Sequence, residues 1–385
     1  MIGDPDIENY VLDSRLRGND KKMVIGVDAA VLSVSDERLK VGVYRYALHA
    51  LQELGKIDKI NSYRLYSFDP IDETLMRRFG NRMENRVLWP VKGWATVRLP
   101  LELSLHPIDV FLGMSQMVPK GVKKSIGFIY DLGFLTRKES YEGSYEKLKK
   151  HTQDIVNRSL KIITISKAVQ QEITSAYGYA KKDISVCYPG IDARFTKNGI
   201  AQKQTVRYFL FVGALKSGKN VPNILKGFAI FLEKSKRKFN LYLVGGNYWE
   251  DPLIDETIKN LKLQDRVKKL GFVSDEALPE YYRGAAALVV PSFHEGFCMP
   301  AAEAIACGCP VISSNSTVMK EVLGDAGLFV DPTSSEEIAD ALGTLAYNAK
   351  KRANLSLKGQ VRAMQYAWSN LGSALLHEIN SIASL

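Results

Sequence analysis

A regular alternation of short apolar runs with helical patterns occupies the second half of this 385-residue chain and most constrains its fold. Runs rich in β-branched and aromatic residues recur there, and segments of helical periodicity lie between them. Such alternation is typical of a parallel sheet covered by helices on both faces. It predicts a doubly wound, Rossmann-like α/β domain. We predict its strands at residues 208–214, 240–246, 267–273, 287–292, 310–314 and 328–331.

The first half begins in the same style but is less regular. A predicted strand, VIGVDAA, is followed by the helical pattern VGVYRYALHALQEL, and two further strands are predicted at 161–166 and 184–189. Because the length and the 46% hydrophobic content suffice for two buried cores, a second Rossmann-like domain is the economical interpretation. We place the junction in residues 190–205, which are polar and poor in periodicity. A cleft between the two sheets is then expected.

The first 22 residues mix charges of both signs with Gly, Asn and Pro, and we predict that they form a disordered extension. They lack the apolar stretch that a signal peptide requires. The apolar pattern begins at Met23, so both Met1 and Met23 remain candidates for the start of translation. No segment is long and apolar enough to cross a bilayer. The four cysteines show no CxxC pair, which predicts a reducing, cytoplasmic setting without bound zinc.

The net charge of +10 is concentrated in the first half, where residues 23–190 carry 25 Lys and Arg against 18 Asp and Glu. An excess of this kind suits anionic lipid headgroups, phosphorylated acceptors or nucleic acid. An ordinary basic surface explains it equally well. The sequence has no helix-turn-helix, RNP or zinc-finger pattern, so we expect no nucleic-acid partner.

The segment HEGFCMPAAEA places two carboxylates, Glu295 and Glu303, on either side of a predicted helix start. Pro300 suits the first helical position, so the amides of residues 297–299 should point outward and, with the helix dipole, bind a phosphate or a polarised sugar oxygen. Glu303 should stay ionised and can accept hydrogen bonds from the two vicinal hydroxyls of a ribose. Glu295 can accept one from a group beside the phosphate. Simpler roles, dipole complementation and a solvated loop charge, stay open for the segment alone.

A second anion-binding feature lies in FVGALKSGKN, where a loop with Gly213 follows a predicted strand and Lys219 comes just before a helix. A lysine at that place can act as a point charge for a diphosphate. The segment is not a P-loop, because Asn220 stands where Ser or Thr is needed. Taken alone, Lys216 and Lys219 are also explained as exposed loop charges.

Two further strand ends carry weaker signals, because ligands of open α/β sheets bind at the carboxyl ends of strands. Gly245 ends one predicted strand, and Phe272 and Val273 end another. A nucleotide base packed against the Phe272–Val273 backbone is consistent with this position, and so is a plain turn.

Together these motifs resemble the retaining glycosyltransferases of the GT-B type, in the group 1 or glycosyltransferase 4 family that includes bacterial mannosyl- and glucosyltransferases. The resemblance extends from Met23 to the C-terminus. Its most specific part is the E-x7-E signature, Glu295 to Glu303, followed by KEVLGDAGLFVDP in the family's usual order. The resemblance implies an acceptor domain, a donor domain and a last helix that crosses back to the first domain. We place these at 23–190, 191–365 and 366–385.

Carried over by position, the resemblance implies that Glu303 holds the nucleotide ribose, Glu295 the transferred sugar and Lys219 the donor diphosphate. It makes Glu295 and Lys219 candidate catalytic residues as well. It further implies that the departing diphosphate is stabilised in a dry cleft, that an acceptor hydroxyl attacks from the front face, and that neither a metal nor another cofactor takes part. The remaining donor-binding residues that we predict are Gly213, Lys216, Asn220, Gly245, Phe272, Val273, Gly296, Phe297, Cys298 and Met299.

The first-domain motifs depart from the family pattern. Where relatives usually have a His-Asp pair facing the sugar, this chain has Tyr130 and Asp131, which we keep as candidate catalytic residues. Tyrosine can hydrogen-bond to a sugar hydroxyl but does not carry the charge of imidazole near neutral pH. The glycine-rich turn, often GIGRY, is here GVYRY from Gly42, so Tyr44 replaces a glycine that would let the backbone approach the ligand.

Two departures fall in the second domain. The arginine that commonly precedes the diphosphate lysine is absent, and Lys216 is the candidate substitute. The family's EGFGLP becomes EGFCMP, which we expect to be tolerated with Cys298 at a negative φ.

We therefore predict a metal-independent, retaining glycosyltransferase that moves a hexose from a nucleoside diphosphate sugar to a glycan or lipid-linked acceptor in polysaccharide biosynthesis. By similarity, GDP-mannose is the first candidate donor and UDP-hexoses are the second. The alternative, favoured by Tyr130 and Tyr44, is a catalytically inactive relative that binds a nucleotide sugar and acts as partner or regulator of another glycosyltransferase. We expect a cytoplasmic protein that can contact the anionic inner face of the cytoplasmic membrane.

Overall fold

Two parallel β-sheets, each covered by helices, make up the computed structural model, which describes residues 22–36, 40, 42–141, 143–246 and 251–385. The predicted N-terminal extension, apart from Lys22, lies outside the described residues. Neighbouring strands pair in parallel throughout both sheets, and most of the crossovers contain helices. The predicted fold class, two doubly wound Rossmann-like domains, is thereby confirmed.

The first sheet has seven strands, and the sequence pattern predicted only the first and the last two of them. In chain order these are β1 Val24–Asp28, β2 Ser62–Ser67, β3 Met83–Val87, β4 Val110–Gly113, β5 Ser125–Phe128, β6 Lys161–Thr164 and β7 Ile184–Val186. Their spatial order is β3-β2-β1-β4-β5-β6-β7. Strand β4 is buried along its whole length, whereas the edge strand β3 is largely exposed and polar.

The second sheet has six strands, all of which the alternation of the second half predicted. They are β8 Arg207–Val212, β9 Phe239–Val244, β10 Val267–Gly271, β11 Leu288–Val290, β12 Val311–Ser314 and β13 Gly327–Val330. Their spatial order is β10-β9-β8-β11-β12-β13. The chain reverses direction across the sheet between β10 and β11, so the loop after β11 opens beside that after β8, where an open α/β sheet binds its ligand.

Fourteen α-helices cover the two sheets in the described part of the chain. Those of the first half are α1 Val43–Ile57, α2 Glu73–Phe79, α3 Leu99–Leu105, α4 Gly133–Thr136, α5 Tyr145–Arg158 and α6 Lys167–Tyr177. Those of the second half are α7 Val221–Lys234, α8 Leu253–Asn260, α9 Leu278–Gly284, α10 Met299–Ala306, α11 Thr317–Leu323, α12 Ser335–Tyr347, α13 Ala349–Ala363 and α14 Trp368–Ala383. None of these helices is both long and apolar enough to cross a membrane.

The last helix, α14, packs on the first domain although it follows the second domain in the chain. Leu371, Leu375 and Ile379 are buried in the same apolar cluster as residues of α1 and β1. Trp368, at the start of α14, stacks on His49 of α1 with ring centroids 4.1 Å apart. The last helix therefore returns from the second domain and packs on the first. The domain boundaries that we place at 190 and 365 remain predictions.

A carboxylate of the second domain also caps a helix of the first. Glu321, on α11, accepts hydrogen bonds from the backbone N–H groups of Lys167 and Ala168 at 2.6 and 2.9 Å. These two amides belong to the first turn of α6 and have no partner within their own helix. The Tyr188 hydroxyl donates to the same carboxylate at 2.8 Å. This contact is one of those that join the two domains.

Candidate active site

The loop between β11 and α10 carries the first group of predicted site residues. The chain leaves the sheet after Val290, and α10 begins at Met299, so Pro300 occupies the second helical position instead of the first. No hydrogen bond among the described residues occupies the backbone N–H groups of Phe297, Cys298 or Met299. These amides therefore remain available at the positive end of α10 for an anion.

The backbone of Cys298 contradicts the expectation of a negative φ. Its φ is 74° and its ψ is 71°, in the left-handed region. Glycine adopts this conformation without a steric cost, whereas a residue with a Cβ does so at about 1 kcal/mol or more. The turn that aims the three amides therefore has a geometry that suits glycine, and this chain forms it with a buried cysteine.

Glu295, in the same loop, forms an ion pair with Lys219. The Nζ of Lys219 lies 2.7 Å from the Oε1 of Glu295, and the two side chains are 22% and 9% exposed. Burial alone would raise the pKa of Glu295, but the charge and hydrogen bond of Lys219 bring it below its usual value. Burial would likewise lower the pKa of Lys219, and the charge of Glu295 raises it instead. Both groups are thus held in their charged forms.

Lys219 owes its position to a turn that the following residue holds in place. Residues Ser217–Lys219 form one 3-10 turn, and Asn220 after it has a φ of 63°. The Nδ2 of buried Asn220 donates to the carbonyl oxygens of Pro291 and Pro332 at 2.9 and 2.6 Å. The amide nitrogen of Asn220 thus joins the loops after β11 and β13. Its assignment to the donor site stays a prediction.

Glu303, on α10, is buried and contacts residues of both domains. The Tyr282 hydroxyl, from α9, donates to its Oε2 at 3.0 Å. The Nη1 of Arg45, from α1 of the first domain, lies 2.9 Å from its Oε1. Arg45 also lies near Asp275, with Nη2 and Oδ2 3.9 Å apart. Glu303, on α10, therefore contacts both α1 of the first domain and α9 of the second.

Burial and the contacts of Glu303 act on its charge in opposite directions. Only 1% of the residue is exposed, and burial raises the pKa of its carboxyl, while Arg45 and Tyr282 oppose that shift. The sequence argument took into account the helix dipole but not the loss of hydration that accompanies burial.

The hydroxyl of Tyr130, one of the candidate catalytic residues, is engaged within the first domain. Tyr130 is buried, and its hydroxyl donates to the carbonyl of Met114 at 2.7 Å. Its ring packs edge-on against Tyr46 of α1, with centroids 5.2 Å apart. Asp131, next to it, is exposed, and its Oδ1 accepts from the N–H of Gly133 at 3.0 Å. Of this pair, only Asp131 presents its side chain at the surface.

The loop of the second domain touches the first domain at this pair. A Cβ added to Gly296 would lie 2.2 Å from the carbonyl oxygen of Tyr130 and 3.2 Å from the Cβ of Asp131. Glycine is thus required at 296 for the approach of the two backbones. The packing between the domains therefore accounts for a glycine at 296. Its place in the donor site stays a prediction.

His294, which the sequence analysis did not select, also lies at this junction. Its Nδ1 is 3.4 Å from the Thr136 hydroxyl, and its Nε2 is 4.0 Å from Glu172. Gly133 packs beside the ring, where an added Cβ would lie 2.9 Å from the imidazole Cδ2. An imidazole is therefore present near Asp131, but it comes from the second domain. Its place immediately before Glu295 was the available signal.

The glycine-rich turn of the first domain keeps its open geometry despite Tyr44. Gly42 has a φ of 35°, and nothing lies within 4 Å of the position of an added Cβ. Tyr44 is buried in the apolar cluster that α1 forms with β1. Arg45, the next residue, reaches Glu303 instead. The signal for this residue, the RY that follows the turn, was present in the sequence but was not used.

The remaining predicted donor residues lie at strand ends of the second sheet. Lys216 is exposed and contributes to lowering the pKa of Glu295. Gly213 and Gly245 pack against each other, because a Cβ on Gly245 would lie 1.9 Å from the carbonyl oxygen of Gly213. Phe272, just after β10, is 63% exposed, and Val273 is partly buried against the core.

Comparisons with known proteins match this architecture. Residues 192–362 match the family model of the group 1 glycosyl transferases. The chain is 26% identical over 271 residues to O-antigen chain mannosyltransferase B of Escherichia coli, covering 68% of this chain and 71% of that protein. It is 32% identical over 187 residues to O-antigen chain mannosyltransferase RfbU of Salmonella typhimurium, covering 49% of this chain and only 51% of the relative.

A solved structure extends the likeness over nearly the whole fold. HepE of Anabaena, in complex with UDP and glucose, superimposes with a TM-score of 0.69 at 16% sequence identity. The superposition covers 94% of this chain and all of that one. At this identity the likeness establishes the arrangement of the two domains, and the roles of individual residues rest on the geometry described above.

Proposed function

Because this chain has the GT-B fold and its second domain belongs to the group 1 glycosyl transferases, we propose that it is a retaining hexosyltransferase of glycan biosynthesis. It moves a hexose from a nucleoside diphosphate sugar to a glycan or lipid-linked acceptor. The observation that carries the proposal is the grouping of Lys219, Glu295, Glu303 and the free amides of residues 297–299 at one edge of the second sheet. A cation, two carboxylates and a helix start match the charge and the hydroxyls of such a donor.

In the proposed complex, the diphosphate lies between the Nζ of Lys219 and the amides of residues 297–299. The bond between the anomeric carbon and the diphosphate breaks as the acceptor oxygen bonds to the same face of that carbon. The acceptor proton passes to the departing diphosphate. The charge that develops on the leaving group is stabilised by Lys219, which is already charged and partly buried.

The two carboxylates bind hydroxyl groups at opposite ends of the donor. Glu295, paired with Lys219 in the structure, exchanges part of that ion pair for a hydroxyl of the transferred sugar. Glu303 accepts hydrogen bonds from the ribose in place of Arg45. Ionised carboxylates are strong acceptors for such hydroxyls. The donor thereby replaces contacts that already exist between charged side chains.

We favour GDP-mannose as donor and a UDP-hexose as the second candidate. The first choice is supported by the names of the two relatives, both O-antigen chain mannosyltransferases. The second is supported by UDP and glucose bound to HepE. We expect transfer without a divalent metal, because Lys219 and the exposed Lys216 supply positive charge where a metal would otherwise act. We further place the protein in the cytoplasm, in peripheral contact with the inner face of the membrane.

A second candidate function, nucleotide-sugar binding without turnover, is favoured by the buried hydroxyl of Tyr130. This residue stands where relatives carry a histidine facing the sugar, and its hydroxyl is engaged by Met114. A chain with the donor site intact but without that contact could act as a partner or regulator of an active transferase.

A transfer assay with analysis of the product distinguishes the two functions. The protein is incubated with GDP-mannose, or with UDP-glucose, and a panel of glycan and lipid-linked acceptors. Release of the nucleoside diphosphate, with a new glycosidic bond of the same anomeric configuration as the donor, supports the proposed activity. Inversion at the anomeric carbon contradicts the retaining mechanism. Binding of the nucleotide without transfer or donor hydrolysis across the panel favours the inactive relative.

A further inference from the structure

An apolar ridge on the first domain lies outside the residues that the proposed transfer uses. It consists of Trp89, Val91, Val97, Leu101 and Leu105, each between 47% and 70% exposed. Large apolar side chains on a protein surface are ordinary when they stand singly, whereas a contiguous group marks an interaction site. The five residues lie within the segment 89–105, and the following contacts bring its loop and its helix together.

The helical part of the ridge is anchored through its inner side and exposes apolar side chains on its outer side. The π-helical turn Trp94–Arg98 runs directly into α3, and its inner side is buried through Trp94 and Leu99. Val97, Leu101 and Leu105 follow one another at intervals of four residues, which places them on one stripe of the helix. All three are exposed, so this stripe lies opposite the buried side.

The preceding loop is fixed beside that helix. The Nε of Arg98 donates to the carbonyl of Trp89 at 2.7 Å, and the N–H of Trp94 donates to the carbonyl of Val91 at 3.0 Å. These bonds hold the backbone of the loop at Trp89 and Val91 against the start of the helical segment. Trp89 has the largest side chain of the ridge and is also its most exposed residue.

Basic residues flank the ridge. Lys92 is exposed in the same loop, and Lys120 and Lys123 are exposed in the loop between β4 and β5. That second loop packs through Val122 against the apolar cluster that also holds Trp94 and Leu99. Residues 87–124 carry five Lys or Arg against two Asp or Glu. The surface thus combines exposed apolar groups with an excess of positive charge.

We infer that the ridge is the surface by which the first domain docks on an anionic lipid bilayer. Tryptophan lies favourably at the boundary between headgroups and acyl chains, and Val and Leu side chains gain by burial just below it. Lysines beside them gain from the negative potential of the headgroups. The inference rests on the proposed function in one respect: a lipid-linked acceptor requires the enzyme to work at a membrane.

The test is co-sedimentation of the full chain with vesicles of phosphatidylcholine alone or mixed with phosphatidylglycerol, at low and high salt. We expect binding to the anionic vesicles that weakens at high salt. A triple variant, Trp89→Ser with Leu101→Ser and Leu105→Ser, should lose on the order of tenfold or more in apparent partitioning, because it removes three exposed apolar groups that the bilayer would bury. The replaced residues are exposed, so the fold should remain intact.

Two control variants make the test specific to this surface. Ile200→Ser with Leu253→Ser replaces equally exposed apolar residues of the second half and should bind vesicles like the wild type. A basic triple variant, Lys92→Ala with Lys120→Ala and Lys123→Ala, should reduce binding and its salt dependence. Exposed lysines of the second domain serve as its matched control, replaced by alanine at Lys236, Lys238 and Lys259.

Several results would overturn the inference. One is a wild type that ignores anionic vesicles, and another is a ridge variant that binds like its control. Conversion of a dimer to a monomer by the ridge variant, measured by sedimentation velocity, would assign the ridge to a second copy of the chain instead. Nucleotide affinity, measured in parallel on all variants, should be unchanged. A wild type that binds no nucleotide would count against the proposed function, whereas the vesicle experiment would still decide whether the ridge binds lipid.

Discussion

The guanidinium of Arg45, on the first domain, lies 2.9 Å from the carboxylate of Glu303, on the second. Glu303 is the residue that we expect to hold the donor ribose, and in the structure one of its oxygens faces an arginine and the other a tyrosine hydroxyl. Because only 1% of Glu303 is exposed, a ribose that reaches this carboxylate must displace a group that covers it, and Arg45 lies at one of its oxygens. Binding of the donor is therefore coupled to a rearrangement of the contact between the domains.

Nucleotide affinity should depend on pH through Glu303. Burial raises the pKa of its carboxyl above 4.5, so the carboxylate form is lost as pH falls through that raised pKa. We expect the affinity of the wild type for GDP or UDP, measured by titration calorimetry, to fall as the pH is lowered through that raised pKa. Glu303→Gln should bind more weakly at pH 8 and show a flatter profile. Parallel profiles for the two proteins would contradict the role of this carboxylate.

Turnover should depend on the charge of Lys219 more than on that of Lys216. Lys219→Ala removes the cation nearest the proposed diphosphate, and we expect kcat to fall on the order of a hundredfold, with a smaller change in KM. Lys216→Ala, at an exposed position, serves as the control and should lose only a few-fold in rate. If EDTA abolished transfer by the wild type, or if Lys219→Ala kept full activity, the proposed role of this lysine would be wrong.

The stability of the fold should fall with rising pH because of Asp28. This residue ends β1, its Oδ2 has no partner among the described residues, and burial raises its pKa to about 7. The folded state therefore binds a proton that the unfolded state releases above pH 3.8, so stability decreases from there up to about pH 7. Between pH 5 and pH 8 the wild type should lose about 3 kcal/mol from this group alone.

Urea unfolding of the wild type and of Asp28→Asn, at pH 5 and at pH 8, checks this expectation. The amide cannot ionise, so the variant should lose less stability over the same interval and should be the more stable protein at pH 8. Equal losses in the two proteins would show that Asp28 is not the buried acid that the structure describes.

The backbone of Cys298 predicts the order of stability of two variants. At a φ of 74° a Cβ is unfavourable, so Cys298→Gly should be more stable than Cys298→Ala by about 1 kcal/mol. Both variants lose the thiol, and the comparison therefore isolates the backbone. With a negative φ the order would reverse, because alanine restricts the unfolded chain more than glycine does. Unfolding in urea at neutral pH decides between the two.

The sequence was sufficient for the second sheet and insufficient for much of the first, for a physical reason. Strand β9 (FNLYLV) is buried at every position and forms an almost continuous apolar run that local patterns detect. Strand β3 (MENRV) lies at the sheet edge and exposes most of its side chains, and β2 (SYRLYS) mixes Tyr and Leu with Arg and Ser. Their pairing depends on neighbours distant in sequence, so no local signal marks them as strands.

The same distinction separates the site residues that could be predicted from those that could not. Glu295 lies on the loop before α10 and Glu303 lies in α10 itself, so their spacing in the sequence was enough to predict both. The partners of Glu303, Arg45 and Tyr282, come from a different domain and a different helix, so only the fold reveals them. Tyr130 was assigned from its place in a motif, but its ring turns into the core against Tyr46.

The most direct test of the account is the affinity of the wild type and of Glu303→Ala for GDP and UDP, measured by titration calorimetry at one pH. We predict that the wild type binds at least one of the two and that the variant binds it at least about tenfold more weakly, because a charge-assisted hydrogen bond contributes about 1.5–3 kcal/mol. Tyr282→Phe, which removes only a supporting hydroxyl, should lose less. A wild type that binds neither nucleotide, or a Glu303→Ala variant that binds as tightly as the wild type, would contradict the proposed donor site.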